Sequence, residues 1–389
     1  MHNSLGHRFC LIYPPGKIIY NDQSVVFGRA SVPPTRAAAP DLPQRIRAAR
    51  RDNGSLSLLR LWQTPLTMQH ASRDRSQQCA GAVFMIEPAS FSFNEETAAS
   101  NAMQHSGDAE AGAADVMATA RAESQQLRRA LESEGVRVQM GADTAVPRKP
   151  DALFPNNWIS FHDDGTIVLY PMLAPNRRLE RRTELIDEVC AALDFHPRRR
   201  LDFSAHEAAG KFLEGTGSLV LDHVARVAYA CRSPRTDAAL VSEWAAQMDY
   251  EAVIFDAADA HGRPYYHTNV LMWIGSRGLT CCTEAIAAAD RRRVVASFRN
   301  SGRELIEIDR TAVDAFAGNM LELATWDEAL GDATLLVMSA TARAALGEQT
   351  MRELSGCVDT VLAVPVPTIE RIGGGSVRCM LAEVPEPRA

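Results

Sequence analysis

Apolar residues along this chain switch between two periods. Val116, Ala120, Leu127 and Leu131 recur at three- and four-residue spacing and Gly135 offers a C′ cap, which predicts a helix over 115–134. Val83-Phe84-Met85-Ile86 reads as a strand stopped by Pro88, and 136–140 reads as another. After a loop with Pro147 and Pro150, short elements alternate. A strand at 166–170 precedes a helix at 178–193. Strands at 218–222 and 227–231 precede a helix at 238–248 and a strand at 252–255. Strands at 270–274 and 279–282, a helix at 291–299 and a strand at 304–308 follow. Strands at 320–323 and 335–338, a helix at 341–354 and a strand at 360–364 come next, with a last strand at 376–384. The recurring unit is strand–strand–helix–strand. A repeat of roughly 50 to 70 residues of this kind suggests a closed ring of modules.

Residues 1–77 break the pattern. Val32-Pro33-Pro34 and the arginines from Arg45 to Arg51 interrupt them. Eleven Lys/Arg stand against four Asp/Glu there, a balance of +7, while the rest of the chain carries −14. This stretch is read as a disordered basic extension. A start codon assigned too far upstream is the plainer alternative, and an organelle transit peptide is a third. Residues 78–389 are expected to form a single domain.

The net charge of −7 argues against nucleic acid as the main partner. No apolar run approaches the roughly 20 residues needed to span a bilayer, so no membrane partner is expected. Phe9 to Tyr13 is apolar, but Pro14-Pro15 ends the run too early for a secretory signal. The eight cysteines (Cys10, Cys79, Cys190, Cys231, Cys281, Cys282, Cys357 and Cys379) form no C-x-x-C pair, so no structural zinc is expected. Free thiols in a reducing cytoplasm are the expectation. Cys190, Cys281 and Cys282 fall in helix and strand patterns and read as buried filler.

Cys379 differs. It follows Gly373-Gly374-Gly375-Ser376, and glycines permit positive φ and close backbone approach to a ligand. A cysteine delivered that way can serve as a nucleophile if a base and an orienting acid lie elsewhere. Four other segments place polar residues beside strands and tight turns. They are Phe154-Pro155-Asn156-Asn157-Trp158, Leu213-Glu214-Gly215-Thr216-Gly217-Ser218, Tyr265-Tyr266-His267-Thr268-Asn269 and Cys231-Arg232-Ser233-Pro234-Arg235-Thr236-Asp237. Singly, each has a bland reading as turn chemistry or a structural histidine. The run Asn176-Arg177-Arg178-Leu179-Glu180-Arg181-Arg182 reads most simply as a solvated helix face with i,i+4 pairs.

In this order and combination, the segments resemble the guanidine- and ureido-modifying pentein, or amidinotransferase, superfamily. Its members include arginine deiminase, dimethylarginine dimethylaminohydrolase and glycine amidinotransferase. The resemblance runs over about 83–384 and is greatest to a citrulline-hydrolase branch marked by F-P-N-N-W. Met85-Ile86-Glu87-Pro88-Ala89-Ser90-Phe91, with Asn94 and Thr97 beyond, also matches that branch. The resemblance implies an α/β fold, a five-bladed β/α propeller of ββαβ modules with the site on its axis. It implies Cys379 as nucleophile, His267 as general acid/base and Glu214 as the acid that orients the head group. Arg235 matches a position that grips a substrate carboxylate, with Arg177 or Arg178 assisting. Arginine deiminases carry aspartates at the positions of Asn157 and Asn269. Exchanging two charges for amides suits a neutral ureido group better than a cationic guanidinium.

The expected activity is therefore hydrolysis of citrulline to ornithine through a covalent Cys379 intermediate, with no metal or organic cofactor. Arginine deimination or transfer to an amine acceptor are the alternatives within this chemistry. A non-catalytic pentein binding protein is the alternative outside it. The expected partner is a small amino-acid substrate, with a homo-oligomer left open.

Overall fold

The computed structural model describes residues 17–19, 77–106, 112–327 and 331–386. Apart from residues 17–19, the expectations for the N-terminal extension lie outside the described residues up to Ser76.

Strand β1 (Lys17–Ile19) comes first. Five modules follow in chain order. The first holds β2 (Ala82–Glu87), helix α1 (Ala113–Ser133) and β3 (Arg137–Ala142). The second holds β4 (Ile159–Phe161), β5 (Thr166–Leu169), α2 (Thr183–Leu193) and β6 (Arg199–Asp202). The third holds β7 (Val220–Asp222), β8 (Val227–Cys231), α3 (Ala238–Met248) and β9 (Glu251–Phe255). The fourth holds β10 (Met272–Ile274), β11 (Gly278–Cys281), α4 (Ala288–Asn300) and β12 (Glu304–Glu307). The fifth holds β13 (Leu321–Asp327), β14 (Gly331–Ser339), α5 (Gly347–Cys357) and β15 (Thr360–Val364), and β16 (Ala382–Val384) ends the series.

The architecture is α/β with five small open sheets. In each sheet the middle strand pairs antiparallel with the strand on one side and parallel with its neighbour on the other, across the module's helix. A parallel pair needs such a crossover, whereas the antiparallel pair closes with a short turn. The first sheet is completed from the far end of the chain: β16 pairs antiparallel with β2, Ala382 opposite Phe84. β1 adds a parallel strand to the fifth sheet, Lys17 opposite Thr360.

Packing explains the sequence pattern. Strands such as Val227–Cys231 are buried along their whole length and read as continuous apolar runs. The α1 stripe Ala120, Leu127 and Leu131 is fully buried against β2 and β15. Asp237 caps α3 by accepting the Ala239 and Leu240 N–H groups. No helix among the described residues is long and apolar enough to cross a membrane.

Several expected elements are corrected. The helix expected over 178–193 begins only at Thr183, and Pro175–Arg178 is a separate turn. The reason is that Arg177 and Glu180 fold inward as a buried ion pair instead of lying on a solvated face. The helix expected over 341–354 divides at Gly347, whose φ of 68° no ordinary residue adopts comfortably. The strand expected over 376–384 is a 3₁₀ turn, Val377–Met380, followed by only three strand residues. Cys379 therefore sits on a turn. β6, Arg199-Arg200-Leu201-Asp202, has no apolar alternation and is a strand because β5 pairs with it.

Candidate active site

The short strand that opens each antiparallel pair is preceded by a tight turn, and these turns carry the polar residues. Pro155–Asn157 precedes β4, Gly215–Ser218 precedes β7, Thr268–Leu271 precedes β10 and Val377–Met380 precedes β16. The segment from Phe316 to Met320 does the same before β13. Asn157, Glu214, His267, Asn269, Asn319 and Cys379 all sit in or immediately before these turns.

The turns meet so closely that side chains are excluded at some positions. A Cβ on Gly217 would stand 2.5 Å from Asn157 Nδ2 and 2.7 Å from His267 Nδ1. Gly217→Ala is therefore expected to push both residues out of place. Misplacement of about 1 Å typically costs about 10²-fold in rate. Steady-state kinetics alongside a melting curve checks this. A variant with wild-type kcat would show that the two side chains need not stay where they are.

Cys379, His267, Asn157, Arg177, Arg235, Tyr266 and Asp151 are among the residues that line one small cavity. The glycine loop forms one wall. Gly373 and Gly375 press on the Phe154 ring, where a Cβ would come within 2.9 Å. Gly374 takes φ +62° and its carbonyl accepts hydrogen bonds from Asn101 Nδ2 and the Tyr266 hydroxyl.

Cys379 is 2% exposed. Its Sγ accepts from Asn319 Nδ2 at 3.2 Å and lies 3.5 Å from Asn269 Nδ2. His267 Nε2 donates to Glu214 Oε2 at 2.9 Å. A carboxylate only accepts, so this bond fixes the Nε2–H tautomer and leaves the Nδ1 lone pair free as a base. Burial, with Arg235 and Arg177 nearby, outweighs Glu214 and pushes His267 down to about 4, so the ring is neutral at pH 7.

Glu214 is fully buried. Burial raises its carboxyl, but Arg235 at 3.4 Å, the His267 hydrogen bond and Arg177 at 3.6 Å together hold it well below the usual carboxylate range. The Leu173 N–H also donates to it, at 3.0 Å.

Arg177 grips Glu180 with two parallel bonds of 3.0 Å and donates to Asn157 Oδ1 at 2.9 Å. Arg235 donates to the Ser100 hydroxyl and lies over the Tyr266 ring, 5.2 Å from its centre. Arg178 is elsewhere. It is about a third exposed, donates to the Met172 and Leu173 carbonyls and faces Glu207 at 3.4 Å. The backbone turn that sends Arg177 inward sends Arg178 out, so of the two arginines expected to assist it is Arg177 that lines the cavity.

Two residues escape the sequence reading. Asn319 occupies, in the fifth module, the place before the opening strand that Asn269 and Cys379 occupy in theirs. Aligning the modules on those strands would find it. Asp151 is 3% exposed and lines the cavity, with Oδ2 bonded to Asn94 at 2.7 Å. Its Oδ1 has no hydrogen-bond partner among the described residues. A buried acceptor left open in a cavity calls for a donor from a ligand.

The model of the family described as N,N dimethylarginine dimethylhydrolase, eukaryotic, matches residues 87–386. No curated protein matches the chain. Among solved structures, similarity extends to the N-terminal domain of ArgZ, bound to substrate. ArgZ is an arginine dihydrolase from the ornithine-ammonia cycle in cyanobacteria. That pair shares 16% identity with a TM-score of 0.59 over 79% of this chain and 98% of the other. Unliganded AgrE gives 18% and 0.60 over 79% of this chain and 40% of its own. A dimethylarginine dimethylaminohydrolase variant, as an adduct with S-methyl-L-thiocitrulline, gives 16% and 0.53 over 78% and 99%. At such identities the structural likeness speaks for the fold. The family match, spanning most of the chain, goes further: the protein belongs to the N,N-dimethylarginine dimethylhydrolase family, in the guanidine-modifying pentein superfamily related to arginine deiminase, and is a hydrolase of carbon–nitrogen bonds.

Proposed function

We propose that this protein hydrolyses the ureido group of a small free amino acid, citrulline, to ornithine. The observation that carries the reading is the state of Glu214. It is the carboxylate bonded to His267, and two buried guanidiniums already compensate it. The side chains in contact with the thiol are the neutral amides Asn269 and Asn319, Asn157 lines the same cavity, and the one further acid there, Asp151, is assigned below to the α-ammonium. A neutral planar head group fits this balance better than a third cation.

The rest of the substrate is read from two side chains. Arg235 takes the α-carboxylate as a planar forked donor. The open Oδ1 of Asp151 takes the α-ammonium. Arg177 acts through Asn157, occupying its oxygen so that the amide is held in one orientation.

In the proposed reaction the Cys379 thiol passes its proton to His267 Nδ1 and the sulfur attacks the ureido carbon. The imidazolium, paired with Glu214, then protonates the departing δ-amine, leaving a carbamoyl group on Cys379. Water, deprotonated by His267, releases carbamate, which decomposes to ammonia and carbon dioxide. General acid catalysis of this kind typically supplies 10²–10⁴-fold. We also take residues 78–389 as one catalytic domain, acting in the cytoplasm, with the five sheets as propeller blades around this cavity. Contacts of β4 with β16, β7 with β10 and β10 with β13 support the ring.

A second reading is hydrolysis of arginine or its methylated forms. The matching dimethylarginine dimethylhydrolase family and the arginine dihydrolase among the structural neighbours favour it. A product assay separates the two: purified protein is given citrulline, arginine and dimethylarginine, and ornithine, citrulline and ammonia are measured. Ornithine from citrulline is expected. Turnover of arginine with none of citrulline would overturn the ureido reading. Asn157→Asp adds a carboxylate where Arg177 can hold it. It is expected to shift the citrulline-to-arginine ratio of kcat/KM by about tenfold or more toward arginine, the effect of one charged hydrogen bond.

A further inference from the structure

Asn319 is fully buried in the turn before β13. Its Oδ1 accepts the Arg378 N–H at 3.1 Å, and Nδ2 gives one hydrogen to the Asn269 carbonyl at 3.1 Å. These two backbone groups fix which end of the amide is which. Flipped, the amide would set N–H against N–H and oxygen against oxygen. The second Nδ2 hydrogen is then directed at Cys379 Sγ, 3.2 Å away. Asn269 is less constrained, since its nitrogen and oxygen lie 3.5 and 4.0 Å from the same sulfur.

We infer that Asn319 is a catalytic residue, an anchored amide donor that stabilises the negative charge on the Cys379 sulfur as its proton passes to His267. This rests on the reading of Cys379 as the nucleophile.

An N–H fixed on a sulfur favours its anion, because a hydrogen bond to the charged form stabilises that form. The other groups around the sulfur contribute little positive charge. His267 is neutral at pH 7. Burial holds the neighbouring Tyr266 hydroxyl protonated. Arg378, next in the chain, turns to Glu383 at 2.8 Å and to the Leu381 carbonyl. Arg177 and Arg235 are committed to Glu180 and Glu214, and Asp151 brings negative charge to the same cavity. A neutral substrate carries no cation to complete the set. The amide therefore supplies, as part of the fold, what a guanidinium substrate would otherwise bring.

The test follows alkylation by iodoacetamide against pH, with the modified cysteine identified by peptide mapping. Asn319→Asp keeps an acceptor for the Arg378 N–H but removes the donor to sulfur and adds a negative charge. The midpoint of Cys379 alkylation is expected to rise by about one to two pH units, with a lower melting temperature because the Asn269 carbonyl loses its donor and meets a buried carboxylate. If that variant fails to fold, Asn319→Ser decides by the same criterion, since its hydroxyl can still accept from Arg378. A folded variant with an unmoved midpoint overturns the inference and leaves the nucleophile reading intact. A wild-type label that maps to another cysteine overturns the nucleophile reading itself.

Discussion

Cys379→Ala is expected to lower kcat by at least about 10⁴-fold with the fold retained. Removing a nucleophile that works as one unit with its base costs nearly all the rate the unit supplies. Binding should survive, because Arg235 and Asp151 lie on other modules and do not depend on the sulfur. The other thiols among the described residues offer no substitute. Burial raises Cys231, Cys282 and Cys357 to about 11, lifts Cys79 and Cys281 well above their usual value and raises Cys190 as well. Thiol labelling at neutral pH should therefore lose its fast phase in the variant, and substrate should slow that phase in the wild type. Turnover within tenfold of wild type would remove Cys379 from the chemistry.

The parts of the site legible from sequence are those whose chemistry is local. A cysteine behind three glycines, a histidine opening an apolar strand and a glutamate before Gly-Thr-Gly are unusual wherever they occur. What was not legible depends on packing between modules. Arg177 and Glu180 have the spacing of a solvated helix face, and only the inward turn after Pro175 makes them a buried pair that holds Asn157. Asp151 reads as an ordinary loop acid until it is seen in the cavity wall with an unpartnered Oδ1. The opening strands read too long at their starts, as at 218–222 and 270–274, because apolar residues continue into the turns. Local pattern cannot separate a buried turn from a buried strand. Packing between the turns does, through glycines such as Gly215 and Gly318, whose Cβ would strike the backbone of Asn156 and Val270. The alternation of strands and helices was legible because each parallel pair demands a helix between its strands.

Glu214→Gln is expected to damage both stability and rate. The carboxylate faces Arg235 at 3.4 Å, Arg177 at 3.6 Å and His267 at 2.9 Å, all buried. A neutral amide leaves Arg235 without a carboxylate and Arg177 with one fewer. Breaking a buried ion pair from one side costs about 3–5 kcal/mol, and at about 2–4 °C per kcal/mol the melting temperature should fall by roughly 6–20 °C. Rate should fall by about 10³–10⁴-fold, since the amide can offer its N–H to His267 Nε2 and reverse the tautomer, taking the lone pair from Nδ1. The pH dependence fixes the sign. The folded carboxyl titrates below its unfolded value near 4.5, so its contribution is complete above that pH and is lost as pH falls through the acid range. The stability gap between wild type and variant should be constant from pH 7 to about 5 and shrink below about 4.5. His267 and His162, both held near 4 by burial, add a separate loss in either protein as pH falls from about 6.5. Urea unfolding at several pH values resolves the two. A variant as stable as wild type at pH 7 would mean that the arginines are neutralised by Glu180 and Asp151 alone, and Glu214 would then be free to meet a cationic substrate after all.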